Sequence, residues 1–160
     1  MPVDVPLLTA IYRGEVVSVR NALARGASPE AVEKDGFNAL FYAILADNPP
    51  GVRVELVKLL VDAGTNVNHH DSDQRWTALA FAARDGYFEV CRILLAAGSN
   101  VDSTDCFGNT PLWRATFRRH NDIVALLVEY GADPDLKNDH GISPRLLAED
   151  AGSTYCRRRS

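Results

Sequence analysis

The chain has 160 residues, of which 46% are hydrophobic and 24% charged, values that are ordinary for one soluble globular domain. Its formal charge of −4 argues against nucleic acid as a partner, because phosphate binding needs a basic surface. The N-terminus lacks the basic and apolar regions of a signal peptide, and no apolar run is long enough to span a bilayer. We therefore expect a cytoplasmic protein with no membrane contact.

A pattern recurs along the chain with a period near thirty-three residues. The triplet Thr77–Leu79 is followed one period later by Thr110–Leu112, and an earlier copy occupies Asn38–Leu40. A fixed period of this length predicts stacked supersecondary units, none of which can bury its apolar face alone. We expect a single domain, residues 1–160, whose parts run in chain order as four full repeats at about 4–32, 33–70, 71–103 and 104–136, a partial C-terminal cap at 137–152, and a tail at 153–160.

Each repeat is predicted to contain two short antiparallel helices. The first helix should begin at a residue whose side chain accepts a hydrogen bond from an exposed backbone amide: Asn38, Thr77, Thr110 or Ser143. A glycine should end each second helix in a left-handed conformation: Gly26, Gly64, Gly98 or Gly131.

The second repeat carries five additional residues, Asp47–Gly51, between its helices. Their composition, Asp-Asn-Pro-Pro-Gly, predicts a turn rather than helix interior. We expect this insertion at the turn edge of the stack, where it is either merely tolerated or provides a second contact.

The stretch Gly108–Asp133 carries the family resemblance. Its frame, G-N-T-P-L-W-R-A followed by L-L-V-E-Y-G-A-D, resembles the ankyrin repeat, and four or five copies in register cover nearly the whole chain. The resemblance implies an all-α solenoid of helix-turn-helix units with hairpin-like fingers, and a concave protein-binding face of finger tips and first helices.

The sequence departs from the family pattern at three places that matter below. The histidine that follows the T-P-L triplet in the family is absent, and Trp113 occupies that position in the fourth repeat, where a core plug is the favoured interpretation. Arg75 stands where other repeats have a finger glycine, and Arg119 replaces an interhelix glycine. We expect locally unusual backbone at both arginines.

No catalytic, metal or cofactor signature is present in the sequence. His69 and His70, with Asp71, are interpreted as polar finger residues, because adjacent histidines on a turn rarely converge on one ion. Phosphate-loop, dinucleotide-binding and H-E-x-x-H motifs are absent. Cys91 is expected to be buried and Cys106 exposed. These observations predict a monomer without enzymatic activity, metal or cofactor.

We predict that a partner is bound by large or charged side chains at the fingers and first-helix ends that the repeat pattern itself does not require. The predicted set is Tyr12, Arg13, Lys34, Asp35, Phe37, Asp73, Gln74, Trp76, Arg84, Asp85, Phe107, Asn109, Phe117 and Arg118. The alternative for Trp76 and Phe107 is that they fold back between repeats as packing residues.

The sequence therefore predicts a non-enzymatic module that binds one protein partner through its concave face. Compact ankyrin proteins with a G-N-T-P-L-W-x-A repeat look like bacterial ones, which makes an immunity-type inhibitor of a bacterial toxin or enzyme the most specific hypothesis. The alternatives are a scaffold or adaptor that bridges two proteins, and an enzyme with a site built on the fingers.

Overall fold

A computed structural model describes residues 5–30, 32–33 and 36–150, and within these ranges the regular structure is helical, without a β-strand. The helices are α1 Val5–Tyr12, α2 Val16–Ala24, α3 Ala39–Leu45, α4 Pro50–Asp62, α5 Ala78–Asp85, α6 Phe88–Ala96, α7 Pro111–Phe117, α8 Asn121–Glu129 and α9 Pro144–Asp150. The all-α class predicted from the sequence, an ankyrin-repeat solenoid, is confirmed.

The chain divides into two compact units, an N-terminal unit Met1–Asp73 and a C-terminal unit Gln74–Ser160. In the N-terminal unit α1 packs on α2 and α3, α3 on α4, and α2 on α4. In the C-terminal unit α5 packs on α6 and α7, α7 on α8 and α9, and α6 on α8. Each unit therefore stacks first helix on first helix and second helix on second helix. The repeat boundaries and the single domain remain predictions.

The first helices begin where the sequence predicts. The side-chain oxygens of Asn38, Thr77, Thr110 and Ser143 each accept a hydrogen bond from a backbone N–H two or three residues later. Such caps satisfy amides that have no partner inside the helix, and each typically contributes about 1 kcal/mol.

The fingers turn back on themselves as short hairpin-like loops. In the fourth repeat the backbone N–H of Asp105 donates to the carbonyl oxygen of Asn109 at 3.1 Å, and in the C-terminal cap the backbone N–H of Asn138 donates to the carbonyl oxygen of Ile142 at 3.1 Å. Successive fingers are also joined, since Cys106 N–H donates to Gln74 O at 2.8 Å. The backbone of these two fingers is thus held by hydrogen bonds within the chain.

Two arginines adopt the left-handed backbone conformation that glycine normally occupies. Arg75 has φ 58° and Arg119 has φ 61°, whereas Gly86, one repeat before Arg119, has φ 82°. A side chain in this region costs about 1 kcal/mol because its Cβ crowds the following carbonyl. Both arginines therefore keep the left-handed backbone of the glycines in the other repeats, and the two turns are unusual only in carrying a side chain there.

The insertion is only partly a turn. Asp47 to Pro49 are non-helical, but α4 begins at Pro50 and spans 13 residues, whereas α6 and α8 span 9. The prediction that all five residues form a turn is therefore wrong for Pro50 and Gly51. Proline fits the first helical position because its missing N–H would be unpaired there.

Asn48 anchors the insertion inside the N-terminal unit. Its side chain is buried, and its amide nitrogen donates to the carbonyl oxygen of Ile11 at 3.0 Å. A Cβ on Gly14 would lie 2.6 Å from the side-chain oxygen of Asn48, so the missing side chain of that glycine makes room for the amide. The end of α1 and the insertion are consequently packed against each other.

We predict that Asn48→Ala lowers the free energy of unfolding by about 1–2 kcal/mol, because a buried side chain–backbone hydrogen bond is lost. Urea unfolding followed by circular dichroism measures this change. The control is Asp47→Ala, whose exposed side chain should leave stability within about 0.5 kcal/mol. Equal effects of both variants would contradict an anchoring role for Asn48.

Candidate protein-binding face

Helix α7 presents one buried side and one accessible side. Leu112 and Ala115 are fully buried in the C-terminal unit. One turn apart on another side of the helix, Trp113 and Phe117 stack with ring centroids 5.2 Å apart and planes 10° apart. Phe117 remains 56% exposed, while Trp113 is half-buried. The prediction that Trp113 is an enclosed core plug is therefore wrong, because Trp113 is only half-buried and stacks on the exposed ring of Phe117.

Arginines and aromatic rings alternate next to this stack. The guanidinium carbon of Arg114 lies 4.2 Å from the ring centroid of Trp76 and 5.5 Å from that of Trp113. The guanidinium carbon of Arg84, on α5, lies 5.0 Å from the ring centroids of both Trp76 and Phe81. We call these side chains, together with Phe117, the aromatic–arginine ladder. Each cation–π contact is worth about 0.5–2 kcal/mol, depending on how dry it is.

Trp76 belongs to the interior of the ladder. It is only 6% exposed, it packs on Phe81 with centroids 4.6 Å apart, and its indole nitrogen donates to the side-chain oxygen of Gln74 at 3.0 Å. The expectation that Trp76 is an exposed contact residue is therefore wrong. The folded-back alternative is correct, because two arginines and a phenylalanine cover its ring.

Asp105 holds Arg114 in position. Its buried carboxylate pairs with the Arg114 guanidinium and accepts hydrogen bonds from the backbone N–H groups of Phe107 and Asn109, both at 2.9 Å. Burial alone would raise the pKa of Asp105, but these hydrogen bonds, that of Arg114 foremost, lower it overall. The carboxylate therefore remains ionised, and it joins the fourth finger to α7.

Asn109 extends this buried network instead of facing a partner. It is 6% exposed, its amide nitrogen donates to Asp105, and its oxygen accepts from the side chain of Asn138 at 2.8 Å. The predicted contact role of Asn109 is therefore not supported by its position, since both ends of its amide are used between neighbouring fingers. Asp105 and Asn138 lie one period apart and accept the same pattern of backbone hydrogen bonds in their fingers.

The predicted residues of the N-terminal unit differ in exposure. Tyr12 is 71% exposed at the end of α1, and Arg13 next to it is exposed, 3.9 Å from Glu15. Phe37 is half-buried, because its ring stacks on Phe41 at 5.0 Å. Lys34 and Asp35 lie outside the described residues.

In the C-terminal unit four predicted residues converge on one cleft. Phe117 and Arg118 lie on one wall, and Arg84 and Asp85 lie on the other, paired through Nε and Oδ1 at 2.6 Å. The hydrogen bond with Asp85 raises the pKa of Arg84 further. The cleft has a volume of about 550 Å³. Three further lining residues were not predicted from the sequence: Tyr87, Arg119 and His120.

His120 joins consecutive repeats at the floor of this region. Its Nε2 lies 3.0 Å from the carbonyl oxygen of Arg84, and a Cβ on Gly86 would come within 2.8 Å of the ring. His120 does not belong to the set of binding residues predicted from the sequence. Gly86, one repeat earlier, was the signal in the sequence for this contact, because a residue without a side chain leaves the space that the His120 ring fills.

The remaining predicted residues lie at fingers. Phe107 is 45% exposed at the fourth finger, and Asp73 and Gln74 are exposed at the third. We define the binding face as the accessible part of the C-terminal unit formed by Phe107, Trp113, Arg114, Phe117 and Arg118.

The other chemical candidates have structural roles. His69 Nε2 lies 2.7 Å from the carbonyl oxygen of Gly36, and Asp71 accepts from the N–H of Asp73. Across the described ranges, His, Cys, Asp and Glu side chains nowhere gather in threes around a possible metal position. Cys91 is fully buried, which raises the pKa of its thiol to about 12, whereas Cys106 is exposed. In the same ranges no helix combines the length and apolar character that crossing a lipid bilayer requires.

Comparison with known proteins agrees with this architecture. A family model described as ankyrin repeats (3 copies) matches residues 51–138. The chain belongs to the ankyrin-repeat family. This assignment accounts for the paired helices, the fingers and the glycine at the end of each second helix.

Several curated proteins are similar over part or most of this chain. It is 34% identical to protein phosphatase 1 regulatory subunit 27 of Mus musculus, over 69% of this chain and 68% of that protein. It is 30% identical to cyclin-dependent kinase 4 inhibitor B of Rattus norvegicus, over 78% and 91% respectively. It is 35% identical to the E3 ubiquitin-protein ligase KEG of Arabidopsis thaliana, over 61% of this chain but 6% of that protein. The chain thus spans a small part of some relatives and most of others.

Ankyrin repeats mediate protein–protein interaction, and two relatives of which this chain spans more than two thirds carry regulatory or inhibitory names. The accessible aromatic and arginine side chains of the C-terminal unit are the types that dominate such interfaces.

We predict that Asp105→Asn lowers the free energy of unfolding by about 2–4 kcal/mol near neutral pH, because Arg114 loses its ion pair in a dry site. The folded pKa of Asp105 is depressed, so its contribution is complete above the unfolded pKa of about 3.9 and disappears as pH falls through the folded value.

Urea unfolding of the wild type and of Asp105→Asn from about pH 7 to about pH 2 measures this dependence. The difference between their free energies of unfolding should shrink below about pH 4. The exposed Asp62 supplies the control, since Asp62→Asn should show no such convergence. A constant difference at all pH values would refute the role of the ionised carboxylate.

Proposed function

We propose that this protein is a non-enzymatic regulator that binds one partner enzyme through the binding face and thereby inhibits or modulates it. The observation that carries the proposal is the exposed ring of Phe117, which is held in place by Trp113 while Arg114 is fixed by Asp105. Side chains immobilised before binding lose little conformational entropy when a partner covers them.

The chemical character of the binding face supports a protein partner. Phe107 and Phe117 expose large apolar surfaces on the same repeat, the finger tip and the first helix being joined by the pair between Asp105 and Arg114. A protein that stays monomeric seldom exposes grouped aromatic side chains without a binding role. Aromatic and arginine side chains contribute most strongly to binding energy when they are central in an interface.

The relatives support an inhibitory or regulatory outcome. One is named as an inhibitor of a cyclin-dependent kinase and another as a regulatory subunit of a phosphatase, and this chain spans 91% and 68% of them. A partner enzyme is therefore the class that we propose for this chain. An immunity-type inhibitor of a bacterial toxin is a narrower version of the same hypothesis and stays a prediction, as does a cytoplasmic location.

The adaptor alternative depends on a second surface at the insertion. Asn48 is used for packing onto α1, and Pro50 and Gly51 begin α4, so most of this segment has a structural role in the N-terminal unit. These contacts favour the single-partner proposal over a bridge between two proteins.

The test starts with capture of stoichiometric partners from the source cell on the immobilised protein, followed by activity assays of each purified partner with increasing amounts of the chain. We expect one enzyme whose activity falls to a plateau at equimolar ratio. Two partners bound simultaneously, with no change in the activity of either, would instead establish the adaptor.

We predict that Phe107→Ala and Phe117→Ala each weaken binding of that partner by about 2 kcal/mol, roughly thirtyfold in Kd, as expected for interface hot spots. Isothermal titration calorimetry measures the affinity, and thermal unfolding verifies that each variant is folded. Tyr130→Ala is a matched control, because Tyr130 is 44% exposed, like Phe107, but caps the second helix α8. Equal losses for Tyr130 and Phe107 would disprove the binding face.

A further inference from the structure

The cleft between the helix pairs α5–α6 and α7–α8 has walls of unequal charge. On the α5 side, Arg84 and Asp85 neutralise each other through two hydrogen bonds of 2.6 and 2.8 Å. On the α7 side, Arg118 and Arg119 are exposed and form no ion pair within residues 5–30, 32–33 and 36–150. The lining therefore has a surplus of two positive charges.

This surplus is local, because the whole chain has a formal charge of −4. Like charges that line the same cleft add to one another's potential. The cleft is therefore a local region of positive charge on a chain whose net charge is negative.

Arg119 occupies its position at a conformational cost. One repeat earlier the same position is Gly86, with φ 82°, and the backbone of Arg119 at φ 61° repeats that geometry with a side chain attached. Glycine would satisfy the fold better at this point. The fold therefore does not require the Arg119 side chain at this turn. Its guanidinium instead contributes positive charge to the lining of the cleft.

The rest of the lining selects among anions. Phe117 and Tyr87 add aromatic surface beside the guanidiniums of Arg118 and Arg119, so an apolar group can be buried next to an anionic one. A phosphate site typically presents converging backbone N–H groups at a helix N-terminus. Here the first turn of α8 carries Asp122, whose carboxylate already accepts from the N–H of Ile123. A carboxylate-bearing peptide fits this combination better than a phosphate does.

We propose that this cleft binds an acidic segment of the partner, with carboxylates on Arg118 and Arg119 and an adjacent apolar side chain against Phe117. The inference builds on the proposed function and adds the chemistry of the recognised segment. Planar guanidinium groups bind carboxylates through paired hydrogen bonds, which a cleft of about 550 Å³ can accommodate over several peptide residues.

The probe is a fluorescently labelled poly-glutamate peptide, whose binding to the full chain is followed by fluorescence anisotropy. We expect saturable binding that weakens as salt is added. Arg118→Gln and Arg119→Gly should each weaken binding about tenfold, because each removes one charge-assisted contact. The thermal midpoint of Arg119→Gly should stay the same or rise, since the strained side chain is gone.

Arg75→Gly is the matched control. It also removes one positive charge from a left-handed position, but Arg75 does not line the cleft. Its affinity for poly-glutamate should stay within about twofold of the wild type. An equal loss in Arg75→Gly would mean that only net charge matters, and this result would overturn the proposal. Tighter binding of inorganic phosphate than of the peptide, lost in Arg119→Gly, would overturn it in favour of a phosphate site.

The two proposals fail in different ways. If Phe107→Ala weakens partner binding as predicted while Arg118→Gln and Arg119→Gly leave both partner and peptide affinity unchanged, the acidic-segment proposal is refuted and the proposed function stands. If poly-glutamate binds as expected but no partner enzyme is inhibited, the cleft proposal stands and the proposed function fails.

Discussion

The buried ion pair between Asp105 and Arg114 is the interaction on which the candidate binding face depends. Burial disfavours the ionised carboxylate of Asp105, but the hydrogen bond from Arg114, together with those from the fourth finger, lowers its pKa overall. Because the guanidinium is fixed at one end, its plane lies over Trp76 and near Trp113, which in turn supports Phe117. The fourth finger therefore helps to fix the position of the exposed Phe117 ring on α7. A neutral residue at 105 would leave the same helix in place with a less ordered surface.

Positions that repeat along the chain and positions that do not repeat have different physical roles. The capping residues, the buried alanines and the glycines at positive φ recur because every helix pair needs the same amides satisfied and the same close approach. Arg119 interrupts that regularity at a cost in backbone energy, and His120 beside it fills the space over Gly86. Two of the irregular positions, Arg119 and His120, therefore lie together in the lining of the cleft.

The sequence predicted the helices, their caps and the strained arginines, because these follow from local rules about amides and backbone angles. It did not predict the direction of Trp76 or the buried network of Asn109, since both depend on side chains that approach from another repeat. The insertion shows the same limit: its composition indicated a turn, yet Pro50 suits the first position of a helix as well as it suits a turn. Exposure of a large side chain is decided by its neighbours in space, and these become known only once the repeats are stacked.

The burial of Trp76 strengthens the case for binding more than an exposed tryptophan would. An exposed indole has to be ordered by the partner, and that ordering subtracts from the affinity. The ring of Trp76 instead packs against the guanidiniums of Arg84 and Arg114. Asp85 fixes the first and Asp105 fixes the second, so their positions are set before a partner binds. Arg118 and Arg119 lack such partners among the described residues and keep their charge available. The face thus combines a rigid aromatic part with an unneutralised basic cleft, which is the arrangement expected of a surface that recognises both shape and charge.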